Sequence, residues 1–405
     1  MLKKIKKIIL NNLILSKIQS YIVIVLRRIP GIEYISGVIN FKKVRIAYDQ
    51  INREFKKENL LNGSISIEES IINEFKKGFK KYILAQPKRY ELPKLFIEAD
   101  IRLKKESFKK SSVGEKDILL ICVVKNDLYR MKVFMEHYRK IGISNFIIID
   151  NLSDDGTFEF LNEQKDVNLY SCKTPYSTLN RESWINRIIA HYGFNHWYLC
   201  VDSDELFVYS NMENVPIDNF IENERSKRIR SIMIDMYSEN GIWENSDLNS
   251  IDIKKKYCYF DTNSYKERAN LKFELIVGGP RTRVFSKTEN DFSGIMVKHP
   301  LFFFERGDIQ GHSHYQFPFK YNFGLKNNSA LLHYKFLPSD LHKYKQRVEL
   351  KNYANGSSEY NIYIQSYNED PSLSFMYGGS EKYKNSLSLN LINIYNKNNS
   401  NINDE

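Results

Sequence analysis

Residues 196–209 read HWYLCVDSDELFVY, so that Asp202, Asp204 and Glu205 stand between two apolar stretches. The run from Trp197 to Val201 is apolar enough to be a buried strand, and the acids fall where that strand ends. Residues two apart on an extended chain point the same way, so Asp202 and Asp204 would face one cavity while Ser203 and Glu205 turn aside. Two like charges this close destabilise each other unless something positive sits between them, and a divalent cation bound through oxygens is the obvious candidate. On this reading Asp204→Asn would relieve repulsion in the metal-free protein. A bare D-x-D is a weak signal, since solvated turns carry the same letters.

The segment around it organises the chain. Ile118 to Val124 is a continuous apolar run; Leu128, Met131, Phe134, Met135, Tyr138 and Ile141 keep helical spacing, and Gly142 is placed to end that helix. Asn145 to Ile149, Val167 to Cys172 and Trp197 to Val201 are further strands, with helices at Phe158 to Gln164 and Glu182 to Tyr192 between them. Apolar strands alternating with helices predict an α/β fold whose mainly parallel central sheet is flanked by helices. Beyond Ile229 the pattern turns β-rich, with strands expected at Arg230 to Tyr237, Arg281 to Phe285 and Met296 to Phe304. The four cysteines form no C-x-x-C pair and read as buried thiols of a reducing compartment.

Upstream, residues 41–112 form a helical extension. In it FKKGFKKYIL reads as an amphipathic helix with solvated lysines rather than a nucleic-acid patch. The division expected is a basic membrane-associating segment (1–40), this extension, a catalytic domain (113–340) and a C-terminal helical extension with an Asn-rich tail (341–405).

Lys plus Arg exceed Asp plus Glu by 60 − 49 = +11, and residues 1–50 alone hold ten basic and two acidic residues, leaving only +3 for the rest. That distribution argues against a nucleic-acid groove and for a basic arm. Residues 1–28, MLKKIKKIILNNLILSKIQSYIVIVLRR, offer no signal-peptide cleavage site, and their longest apolar run, Tyr21 to Leu26, is far short of a membrane span. An interfacial helix on an anionic membrane and a helix packed on its own domain both fit this periodicity. The expected location is the cytoplasmic, inner face of a membrane.

From Ile118 to Leu337 the chain resembles GT-A glycosyltransferases of the family 2 type, in the branch carrying D-x-D-E-[FL]. The resemblance rests on the order of ICVVKND, EHYRKIGISNFIIIDNLSDDGT, HWYLCVDSDELFV, YFDTNSY, GGPRTRVF, KHPLFFF, GHSHY and ALLHYKFL. It implies a GT-A fold and transfer of a sugar from a nucleoside diphosphate donor to a glycan or lipid-linked acceptor, in surface polysaccharide synthesis. It also implies Mn²⁺ or Mg²⁺ at the diphosphate leaving group. By analogy Asp204 is the direct metal ligand, Asp202 binds metal, ribose or both, and Asp150 contacts the nucleotide. Asn126-Asp127 lies where the group usually has Asn-Glu; Asp127 is equally a candidate helix N-cap, and Asp154 and Asp155 are candidate turn-formers.

His333 and His314 are candidates to complete the metal shell, each with the alternative of a hydrogen-bonded core imidazole. Arg281 and Arg283 would clamp phosphate, with Gly278 and Gly279 permitting close backbone approach; the alternative is a salt-bridged edge strand. An inverting transfer needs a general base, for which Asp235, Glu239, Asp261 and Glu274 are all open and Glu205 is a further possibility. A nucleotidyl or phosphoryl transferase is disfavoured by the lack of G-x-x-x-x-G-K-[ST]. A non-catalytic glycan- or membrane-binding protein on a similar fold is the alternative kept.

Overall fold

The structure, a computed structural model, describes residues 31–55, 65–243, 252–286, 294–350 and 354–395; the basic arm at 1–28 and the end of the Asn-rich tail lie outside them. Nine strands form one sheet: β1 (Ile101–Lys105), β2 (Ile118–Val124), β3 (Asn145–Asp150), β4 (Val167–Cys172), β5 (His196–Cys200), β6 (Glu205–Tyr209), β7 (Arg228–Asp235), β8 (Val297–Phe304) and β9 (Ser329–His333). Their spatial order is β1-β4-β3-β2-β5-β8-β7-β9-β6. The run ILLICVV becomes β2, with six of its seven side chains buried, because it is paired on both edges and covered on both faces.

Helices precede the sheet: α1 (Phe41–Glu54), α2 (Glu69–Ala85) and α3 (Leu92–Glu98). In FKKGFKKYIL the residues Phe75, Phe79, Tyr82 and Ile83 are buried, and Phe75 and Phe96 stack with centroids 5.1 Å apart. The aromatic residues are therefore core. The segment also supplies edge strand β1, antiparallel to β4.

The crossovers are α4 (Leu128–Lys140), α5 (Thr157–Glu163) and α6 (Thr178–Tyr192). In α4 the spaced residues Met131, Phe134, Met135 and Tyr138 are buried, and Gly142 follows at φ +103°, where a side chain would be strained. Ser177 caps α6 by accepting from Asn180 N at 3.1 Å.

The sheet is mixed rather than mainly parallel. β4, β3, β2 and β5 are parallel neighbours, and so are β7 and β9. β8 is antiparallel to both β5 and β7, and β6 is antiparallel to β9. The cause is visible in the chain. Parallel neighbours need long crossovers, which helices supply between β2 and β5 and the long connection from Asp235 to Ser329 supplies between β7 and β9; antiparallel neighbours do not. A second difference is that Arg281 to Phe285, expected as a strand, lies in α7 (Gly279–Phe285), with Pro280 in its first turn, a position that favours helix initiation.

Two C-terminal helices, α8 (Asp340–Leu350) and α9 (Ala354–Glu369), pack on each other, and α9 packs on α7. Between them lies a smaller aromatic core that includes Trp243, Phe285, Phe336, Tyr344, Tyr363 and Phe375. All four cysteines are free and buried.

Candidate metal centre at the strand ends

After stepping outward from β2 to β3 to β4, the chain returns to the opposite side of β2 as β5. This reversal is a topological switch point, and ligands of open α/β sheets bind beyond the carboxyl ends of strands there. Sheet register then builds a site beside it. His333, the last residue of β9, is directly paired with Asp235 on β7 and with Glu205 on β6. Tyr334 N donates to the Asp204 carbonyl at 2.8 Å, which ties the acidic turn to the same strand end. The result is that Asp204, Glu205 and His333 each offer a ligand atom, all within 4.8 Å of one another.

The histidine is oriented from behind. His333 Nδ1 donates to Asp235 Oδ1 at 2.7 Å, leaving Nε2 3.4 Å from Asp204 Oδ2. Burial alone would lower the imidazole pKa, but Asp204 and Asp235 raise it. Burial would raise the Asp204 carboxyl, yet His333 above all holds it well below the usual range. Asp235 is held in turn by Arg281, whose Nε donates to Asp235 Oδ2 at 2.7 Å and whose Nη1 donates to Glu359 at 2.9 Å. Lys335 Nζ and Tyr363 OH also donate to Glu359.

Asp202 departs from the expected arrangement. Residues 202–204 form a turn, closed by Glu205 N donating to the Asp202 carbonyl at 3.0 Å, so strand alternation does not apply. Arg181 Nη2 lies 2.6 Å from Asp202 Oδ1 and Lys298 Nζ 2.7 Å from Oδ2. Lys298 also donates to Glu205. Burial would raise the Asp202 pKa; Arg181 and Lys298 overcome it and hold the carboxyl below the usual range. The positive charge that the like-charge argument assigned to a metal is, at Asp202, supplied by two side chains. Glu205, expected to turn aside, is instead 1% exposed and part of the cluster.

His314 does not join the cluster. Its Nδ1 donates to the Val297 carbonyl at 2.7 Å, and burial, with Lys298 adding to it, lowers its pKa to about 3. Asp127 occupies the N-cap position of α4 but makes no capping bond. Its carboxylate takes Arg130 at 2.9 Å, Lys343 at 3.0 Å and Ser203 Oγ at 2.5 Å, so it braces the acidic turn from below. Asn126, at φ +52°, accepts from Asp154 N at 2.9 Å, and Asp155 accepts from Leu128 N at 3.1 Å. These residues knit the loops after β2 and β3 together. Asp150 accepts from Ser153 N through Oδ2, while its buried Oδ1 has no hydrogen-bond partner. That orphaned acceptor suits a ligand that brings a hydrogen-bond donor.

Arg281 and Arg283 are both committed inside the protein. Arg283 pairs with Asp261 at 2.9 Å and lies over the Tyr377 ring. The two glycines serve close packing. A Cβ at Gly278, φ +115°, would stand 2.0 Å from Ser264 O, and one at Gly279 2.7 Å from Met296 Cε. Gly278→Ala should therefore lower stability by on the order of 3 kcal/mol. A urea midpoint equal to that of the wild type would show that the Tyr265–Gly278 region relaxes at no cost.

Of the base candidates, Asp235 and Asp261 are fully buried and held by arginines. Glu274 accepts from Gly324 N at 3.2 Å and faces Arg230 at 3.7 Å. Glu239 is exposed and accepts a 3.4 Å bond from Tyr259 OH.

No protein-family model matches the chain, and neither does any curated protein.

The donor set itself fits a divalent cation. Two carboxylates and one imidazole suit Mn²⁺ better than Mg²⁺, and a carboxylate behind the ligating histidine is the usual support for such a ligand. A cation there has to displace the His333 proton. Nearby, Arg130, Val133, Ser203, Asp204, Leu206, Ile253 and Tyr334 line a crevice with room for about one water. The solvent approach is instead through the side chains of Asp202 and Asp204, 34% and 27% exposed. Arg181, Lys298, Arg130 and Glu359 were not legible as site residues. Lys298 had a signal: a lone lysine in the apolar run of residues 296–304, where only a carboxylate partner makes burial tolerable.

Proposed function

We propose that this protein is a divalent-metal-dependent glycosyltransferase on a GT-A-like domain, moving a sugar from a nucleoside diphosphate donor to a glycan or lipid-linked acceptor hydroxyl with inversion. The observation that carries the reading is the convergence of Asp204, Glu205 and His333 at the strand ends beside the switch point. A cation bound there would neutralise charge developing on a diphosphate leaving group. Asp204, Glu205 and His333 would hold it, Asp235 fixes the His333 ring, and Asp202 with Asp150 faces the nucleotide. Arg181 and Lys298 keep Asp202 ionised and in place. Glu239, exposed four residues beyond β7, is assigned the base, which takes the acceptor proton.

The reading includes peripheral association with the inner membrane face and a role in surface polysaccharide synthesis. Among the described residues no helix is long and apolar enough to cross a membrane. One observation favours the non-catalytic alternative: Lys298 already bridges Asp202 and Glu205. The two readings separate in one experiment, a thermal-shift screen of nucleotide sugars with and without Mn²⁺ followed by assay of nucleoside diphosphate release. A ligand specific to the folded state raises the melting temperature. The transferase reading expects a Mn²⁺-dependent rise and release of diphosphate; a rise with no release, under any acceptor tried, favours the binding protein.

His333 gives a narrower test. His333→Ala should weaken Mn²⁺ binding about tenfold or more with the circular dichroism spectrum unchanged. Should the melting temperature fall while Mn²⁺ affinity stays constant, His333 is a core hydrogen-bonding residue and not a ligand.

A further inference from the structure

Five large apolar side chains stand exposed within twelve residues: Ile35 at 51%, Val38 at 73%, Ile39 at 78%, Phe41 at 65% and Ile46 at 47%. The other exposed large apolar residues are scattered along the chain from Leu152 to Leu391. The orientation of this segment is fixed. Gly37, Val44, Ala47 and Ile51 are its buried side, and Gly37 packs so closely on α2 that a Cβ there would lie 2.5 Å from Leu84 O. Lys42, Lys43 and Arg45 are exposed among the apolar residues. The acid facing them from the same helix is Asp49, 3.9 Å from Arg45, and Lys43 lies over the Tyr90 ring. Exposed large apolar side chains concentrated in one short segment in this way mark an interaction site.

We propose that Ile35–Ile46 is a docking face for an anionic lipid bilayer. Charge selects the occupant. Residues 1–28 hold seven basic and no acidic residues, the same sign as Lys42, Lys43 and Arg45, and a second copy of the face carries that sign too, so neither complements it in charge. A bilayer with anionic headgroups accepts apolar tips at the acyl boundary and lysines at headgroup level together. This inference rests on the membrane association proposed above and is independent of the metal centre. It makes the folded domain, and not the basic arm alone, a membrane contact.

The test uses the full chain and co-sedimentation with phosphatidylcholine vesicles, with and without phosphatidylglycerol. Val38→Ser/Ile39→Ser/Phe41→Ser should cut partitioning onto the anionic vesicles about tenfold, with melting temperature and Mn²⁺ affinity unchanged. Lys42→Glu/Lys43→Glu/Arg45→Glu should reduce the preference for anionic vesicles over neutral ones, the arm supplying what remains. Wild-type partitioning by the apolar triple variant overturns the inference, and so does a wild-type dimer in light scattering that this variant converts to monomer with vesicle binding intact. Lys3→Glu/Lys4→Glu/Lys6→Glu/Lys7→Glu probes the arm separately. If the wild-type chain does not pellet with anionic vesicles, the membrane association itself fails; if it does and only the arm's set of substitutions lowers partitioning, the docking face alone fails.

Discussion

Asp204→Asn is expected to lower Mn²⁺ affinity about 100-fold or more and to cost some stability rather than add it. The amide keeps the size of the side chain but offers a neutral oxygen in place of the charge that attracts the cation. Two crowded acids, read from the sequence alone, point to relief of repulsion. The structure reverses that sign, because Asp204 faces His333 Nε2 at 3.4 Å and its pKa is depressed in the folded protein. A depressed carboxylate contributes stability above its unfolded pKa and loses it as pH falls through the folded value. At neutral pH the substitution should therefore cost about 1–3 kcal/mol. Manganese titration followed by electron paramagnetic resonance, with a urea melt of the same sample, reads both effects. Wild-type Mn²⁺ affinity in Asp204→Asn would mean that the cluster is a salt bridge and nothing more.

The second large effect is at Arg281. Arg281 is 5% exposed, and its guanidinium joins Asp235, fully buried, to Glu359. Arg281→Met fills similar volume but leaves the buried Asp235 with His333 as its remaining partner, and removal of one partner of a buried pair costs about 3–5 kcal/mol. That is a large share of the roughly 5–15 kcal/mol that holds a domain together. Removing both charges is less damaging than removing one, so Arg281→Met/Asp235→Asn should recover part of the loss. It should not restore Mn²⁺ affinity, because a neutral amide at position 235 does not fix the His333 ring as the carboxylate does. The phosphate-clamp reading makes the opposite forecast: Arg281→Met would keep its urea midpoint and lose nucleotide affinity.

The parallel half of the sheet was legible because burial on both faces writes itself into continuous apolar runs. β2 and β4 coincide with the expected Ile118 to Val124 and Val167 to Cys172, and α4 begins at Leu128 as its spacing indicates. The antiparallel half was less so, since irregular connections leave no period to read. In GGPRTRVF the helix signal, Pro280 following two glycines, was present and outweighed by the expectation of another strand. The site was half legible. His333 and Asp204 stood out by being polar at the ends of apolar runs. Glu205 was misplaced because the alternation rule was carried through a turn, where it has no force. Arg181 and Lys298 were hidden for a simpler reason: nothing local in a helix or strand reveals which distant acid a cation will meet, and these pairs span 21 and 93 residues.

The central claim is that the cation held by Asp204, Glu205 and His333 is what binds a nucleoside diphosphate. Isothermal titration of the wild-type chain with UDP and with GDP, in Mn²⁺ and again in EDTA, tests it most directly. Saturable binding of one of the two nucleotides in Mn²⁺, disappearing in EDTA, is the expected result. Equal affinity in Mn²⁺ and EDTA, or no heat with either nucleotide in Mn²⁺, would contradict it.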